Sequence, residues 1–104
     1  MRHYHSGHPD ETVCGVRVAD VVLAIRDLEP GFHTLDEVKR RYLEVAGERA
    51  GPARCVTWAV SRFGLNAYTR KGERGWTINP ARLAKSWPRL PWATQTDGQR
   101  EMAP

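Results

Sequence analysis

Between Pro52 and Gly64, Arg54, Trp58 and Arg62 recur every fourth residue, with Thr57 and Ser61 interleaved. On a helix this spacing gathers them on one side, so two guanidinium groups flank one indole. A guanidinium can bridge a phosphate or grip guanine O6 and N7 through two parallel hydrogen bonds. The indole adds flat apolar surface, and an exposed Trp between two arginines costs solubility, so it asks for a reason. A second basic group, Arg70, Lys71 and Arg74, surrounds Gly72. A basic loop of this kind can follow the edge of a groove and neutralise phosphates, although Lys and Arg also serve simply to solvate a face.

Other candidate chemistries are weaker. His3, His5 and His8 with Cys14 offer zinc-type donors, but their spacing matches no closed structural site, and no metal is expected. Cys14 has no His/acid constellation around it, and Cys55 belongs to the core or its margin. His33, beside Thr34, is expected to face solvent in a turn. With no glycine-rich phosphate loop, paired carboxylates or triad signature, the chain is expected to be no enzyme, with no catalytic residue, no cofactor and no evident small-molecule substrate.

The elements that must position the basic groups have to fit in 104 residues, room for one domain. The 40% hydrophobic and 27% charged fractions are ordinary for a globular chain, and the mean hydropathy of −0.59 points to a small core. No apolar run approaches the ~20 residues of a membrane helix, and the start lacks a secretory stretch, so a cytoplasmic location is expected. A lone cysteine pair in such a chain is more often reduced than bridged. The net charge of +4 conceals an uneven distribution: residues 1–48 carry a balance of −3, whereas residues 49–89 carry nine Lys/Arg against Glu73 alone. That basic block also contains Trp58, Trp76 and Trp87, and Trp92, the fourth tryptophan of the chain, follows it closely. Nucleic acid is the first partner this combination suggests.

Along the chain, residues 1–12 are polar with no period and are expected to form a flexible tail. Val18, Val21, Val22, Ile25 and Leu28 recur at helical spacing and predict a first helix from about Val16 to Leu28, which Pro30-Gly31 ends. Thr34-Leu35-Asp36-Glu37 has the form of a capping box that opens a second helix, with Leu35, Val38, Tyr42, Val45 and Ala46 as its apolar stripe and Gly47 as its stop. Pro52 suits the first position of a third helix running to Phe63, with Val56, Ala59, Val60 and Phe63 turned inward. Beyond Gly64 the period becomes two. Residues 65–69 and 75–78 read as the strands of a hairpin, joined by the basic connection 70–74. Asn79-Pro80 can cap a short helix over 81–86, and 87–104 reads as a Pro-rich tail, in which Trp87 and Trp92 either fold back on the core or dock on a second subunit. The expected domain therefore spans 13–86, mainly α with a small antiparallel β-hairpin.

Three helices followed by a basic hairpin, over Val16 to Ile78, resemble the winged helix-turn-helix superfamily. The resemblance implies that helix 52–63 enters the major groove through Arg54, Thr57, Trp58, Ser61 and Arg62, and that wing 65–78 meets the backbone through Arg70, Lys71 and Arg74. The function it implies is that of a small DNA-binding regulator, sequence-specific or architectural, serving transcription or recombination on double-stranded DNA. The excess of Arg over Lys hints at a GC-rich bacterial or phage genome. A second expectation is a winged-helix module, such as an adaptor or inhibitor, that binds a protein partner or a second copy through Trp58 and the neighbouring arginines.

Overall fold

The structure is a computed structural model that describes residues 7–93. The first two short strands, β1 (Thr12–Val13) and β2 (Val16–Arg17), form a hairpin whose turn, Cys14-Gly15, has positive φ at both residues (55° and 86°). The chain then enters helix α1 (Val18–Ile25), strand β3 (Gly31–Thr34) and helix α2 (Leu35–Ala46). Two short 3-10 turns, Gly47–Arg49 and Ala53–Cys55, lead to α3 (Val56–Ser61). Strands β4 (Tyr68–Arg70) and β5 (Glu73–Ile78) and the helix α4 (Pro80–Ser86) complete the described elements. The second sheet is antiparallel throughout, in the order β3-β5-β4. Four helices and two small antiparallel sheets make this a mixed α/β fold, with more strand than a single hairpin.

The sequence reading missed three strands, β1, β2 and β3, for local reasons. β3 holds only Gly31-Phe32-His33-Thr34, too few residues to display a period, and its pairing with β5 comes from residues more than forty positions away. Pro30-Gly31 ends one element as expected, but it also begins this strand. Likewise β2 takes Val16 and Arg17 from the start of the first helix, because Gly15 accepts a left-handed turn cheaply and Val13 and Val16 are then buried as a pair. Leu28 stays in the core beyond the end of α1.

α2 starts as its residues dictate. Thr34 Oγ1 accepts from the Glu37 amide at 3.1 Å, and Asp36 and Glu37 sit at the positive helix end. Glu37 does not return to the cap, however. Its carboxylate lies 3.1 Å from Nδ1 of His33, whose Nε2 is 2.6 Å from the Glu29 carbonyl. His33 is thus a bridging residue at the margin of the core, with only 13% of its side chain exposed, and not a solvent-facing turn residue. Val38, Tyr42 and Ala46 are buried, with Leu35 and Val45 packed beside them. At the far end Gly47 adopts φ 58° and stops the helix.

The core joins Val21, Val22 and Ile25 of α1, Val38 and Tyr42 of α2, Val56, Ala59 and Val60 of α3, and Trp76 and Ile78 of β5. Polar groups tie its layers together. Arg41 Nε donates to the Ala24 carbonyl at 2.8 Å, satisfying an end of α1 from α2, and the buried Tyr42 hydroxyl accepts from the Gly51 amide at 2.7 Å. Gly51 is also where the β1–β2 turn docks, since a Cβ there would overlap the Gly15 carbonyl.

The expected tail boundaries fall differently among the described residues. Gly7 is buried, with Trp87 3.2 Å from where a Cβ would stand, and the Glu11 carbonyl accepts from the Val18 amide at 2.9 Å. On the other side, Trp87 and Trp92 meet Phe63 edge-on at 5.8 and 5.7 Å, and Leu90 is buried. Arg26 pins this segment through bonds to the Pro91 and Ala93 carbonyls. The globular part therefore includes residues 7–12 and 87–93, because large aromatic area outweighs the polar composition of those segments. Residues 1–6 and 94–104, the remainder of both expected tails, lie outside the described residues.

Candidate functional site

α3 is amphipathic with its apolar side fixed in the core. Val56, Ala59 and Val60 are buried and Phe63 is 5% exposed, so the intervening residues must face outward. Trp58 is 63% exposed. Thr57 and Ser61 are half-buried, and Arg62, the residue that ends the helix, is half-buried as well. These four residues line one open cleft of about 450 Å³, completed by Leu65 and Asn66 from the segment that follows. Arg54 is exposed but lies in the 3-10 turn Ala53–Cys55, ahead of the regular helix and outside the lining of that cleft. The expected helix 52–63 is therefore regular only over Val56–Ser61.

The basic hairpin is narrower at its tip than the sequence indicated. Only Lys71 and Gly72 form the turn, with φ 53° and 83°, while Arg70 and Arg74 sit within β4 and β5 opposite Glu73 and Thr69. A two-residue turn with both φ positive matches the twist of the flanking strands, and Gly72 supplies it at no steric cost. All three cations are exposed. Arg70 is partly engaged, its guanidinium carbon lying 5.8 Å from the centre of the Phe32 ring. Arg74 borders a second cleft with Thr34, Asp36 and Glu73, so acidic side chains stand close to it.

Sequence reasoning missed the sheet surface beside the hairpin. Alternation along β5 turns Trp76 and Ile78 inward and leaves Thr77 exposed. On that outer side Phe32 and Tyr68 meet at 5.3 Å with a 60° tilt, and the Tyr68 and Thr77 hydroxyls share a hydrogen bond. No local signal marks Phe32, since it joins this surface only through the β3–β5 pairing.

The cysteines meet at the base of α3. Burial and a hydrogen bond to the Cys14 side chain, the latter the larger effect, raise the Cys55 thiol above its ordinary value, so Cys55 resists ionisation while Cys14 is exposed. Among the described residues no group of three or more His, Cys, Asp or Glu side chains stands close enough to hold a metal ion, and no helix is long and apolar enough to cross a membrane. His3 and His5 lie outside the described residues. Comparison of the chain with protein-family models, with curated proteins and with solved structures finds no match.

Proposed function

We infer that this protein is a small winged-helix DNA-binding regulator that presses the outer side of α3 toward the major groove and lays the β4–β5 hairpin along the phosphate backbone. The observation that carries this reading is the exposure of Trp58 on α3, bordered by Thr57, Ser61 and Arg62, together with three exposed cations on a hairpin of the same chain. The order helix, strand, helix, helix, strand, strand, with β3 paired to β5, also supports it. Arg62 offers two parallel donors to a base edge or phosphate, Thr57 and Ser61 offer hydroxyls, and Arg54 reaches the backbone from the turn before α3. The role is one of binding, without catalysis.

The test is a fluorescence anisotropy titration against random duplex DNA at several salt concentrations. Removing each phosphate-contacting cation lowers the slope of log affinity against log salt by about one unit. Arg70→Ala, Lys71→Ala and Arg74→Ala are expected to weaken all sequences alike. Intact protein without salt-dependent binding would refute the reading. A second reading, docking of a protein partner on α3, is favoured by the cleft beside Trp58, since aromatic and arginine side chains around a concavity are typical interface anchors.

A further inference from the structure

A second basic site shares no lining residue with the cleft beside Trp58 and none with the β4–β5 hairpin. Along the outer side of α1, Arg17, Asp20, Leu23 and Arg26 follow one another at helical intervals, and with Arg49 and Arg89 they border a cleft of about 530 Å³. Four guanidinium groups here face a single carboxylate among the lining residues. Asp20 is 1% exposed, and both its oxygens are occupied by Arg49, at 2.9 and 3.3 Å. It neutralises one of the four charges and fixes Arg49 at the rim. Arg17 stands 4.0 Å from the same carboxylate, beyond hydrogen-bond distance.

Arg26 supplies the independent observation. One of its terminal nitrogens holds the Pro91 and Ala93 carbonyls, which anchors the guanidinium, while its Nε is buried without a hydrogen-bond partner among the described residues. A buried charged donor left unmatched is costly, and so is an uncompensated excess of like charge around one cavity. An oxyanion in the cleft relieves the excess of charge. Cavities of this size take ligands larger than a single ion.

We propose that the α1 cleft, bounded by Arg17, Arg26, Arg49 and Arg89, binds a phosphate-bearing ligand. Guanidinium groups suit this chemistry because each presents paired donors to two phosphate oxygens, and Arg49 and Arg26 are already held in place by Asp20 and by backbone carbonyls. The phosphates belong either to a small phosphorylated molecule or to a nucleic-acid backbone.

The experiment is calorimetric titration of the full chain with pyrophosphate at low salt. Arg17→Ala/Arg89→Ala removes two rim charges whose side chains make no hydrogen bond among the described residues, whereas Arg26 and Arg49 also hold structure and are left intact. The control, Arg70→Ala/Lys71→Ala, removes the same charge from the hairpin. Binding by the wild type, weakened at least tenfold in the rim variant and retained in the hairpin variant, is expected. No binding by the wild type, or equal loss in both variants, would overturn the site. A thermal melt of each variant confirms folding. Titration with random duplex DNA then separates the sources: the rim variant loses DNA affinity if the phosphates are those of a nucleic acid, and keeps it if they belong to a small ligand. Because the rim and hairpin variants are compared on pyrophosphate, that result stands whether or not the intact protein binds DNA.

Discussion

Phe63 and Trp58 sit five residues apart on the same stretch of chain yet belong to different chemistry. Phe63 fills the space between α3 and the indoles of Trp87 and Trp92, so Phe63→Ala leaves a cavity bordered by these two indoles. The expected loss is about 3–5 kcal/mol by denaturant unfolding, as for other large-to-small core changes. Trp58→Ala removes a mostly exposed side chain and should alter stability by less than about 1 kcal/mol while impairing the proposed DNA binding. The cysteines differ in the same way. Thiolates are the reactive form, so iodoacetamide at pH 8 should label Cys14 first and Cys55 slowly, as read by peptide mass. Folding favours the protonated Cys55 thiol. Its contribution to stability is therefore complete below the ordinary thiol value of 9.0 and is lost as the pH rises beyond it.

Among the elements, β5 carries the architecture that links the helices to the hairpin. It is the central strand, and at Gly75 the neighbouring β3 backbone comes so close that a Cβ would overlap the His33 carbonyl. Gly75→Ala should break this pairing and cost on the order of 1–3 kcal/mol, as overpacked sites do. Gly72→Ala offers a contrast: there is open space around it but φ is 83°, so the cost is backbone strain confined to the turn. Equal losses in the two variants would show that β3 does not hold β5. The helices were legible in the sequence because each buries a stripe at intervals of three and four residues and carries its own punctuation, Thr34 and Gly47 for α2 and Asn79-Pro80 for α4. The strands were legible only in part. Two-residue and four-residue strands offer no period, and their existence depends on partners distant in sequence.

Across the whole molecule, the first and last segments of the described residues pack back onto the body. Residues 7–11 run back beside β2 and against Trp87, and residues 87–93 cover Phe63 and hydrogen-bond to Arg26. Truncation after Ser86 should therefore lower the melting temperature far more than truncation after Ala93, by several degrees for a domain of this size. Similar melting points for the two would mean that the aromatic cover contributes nothing to the core. The charge distribution belongs to this scale too: the basic block of 49–89 separates in space into α3, the hairpin and the rim of the α1 cleft, where Arg49 and Arg89 join Arg17 and Arg26 from the acidic half of the sequence.

By itself the sequence determined the helical stripes, the caps of α2 and α4 and the outward turn of Trp58, since helical phase is local geometry set by one short stretch of chain. Only the tertiary structure decided that Phe32 would lie under Arg70, that Trp87 and Trp92 would be cover and not tail, that His33 would bridge Glu37 and Glu29, and that four arginines would surround one cleft. Each of these joins residues separated by turns whose direction depends on the packing of the whole, and neither composition nor period records where a turn sends the chain.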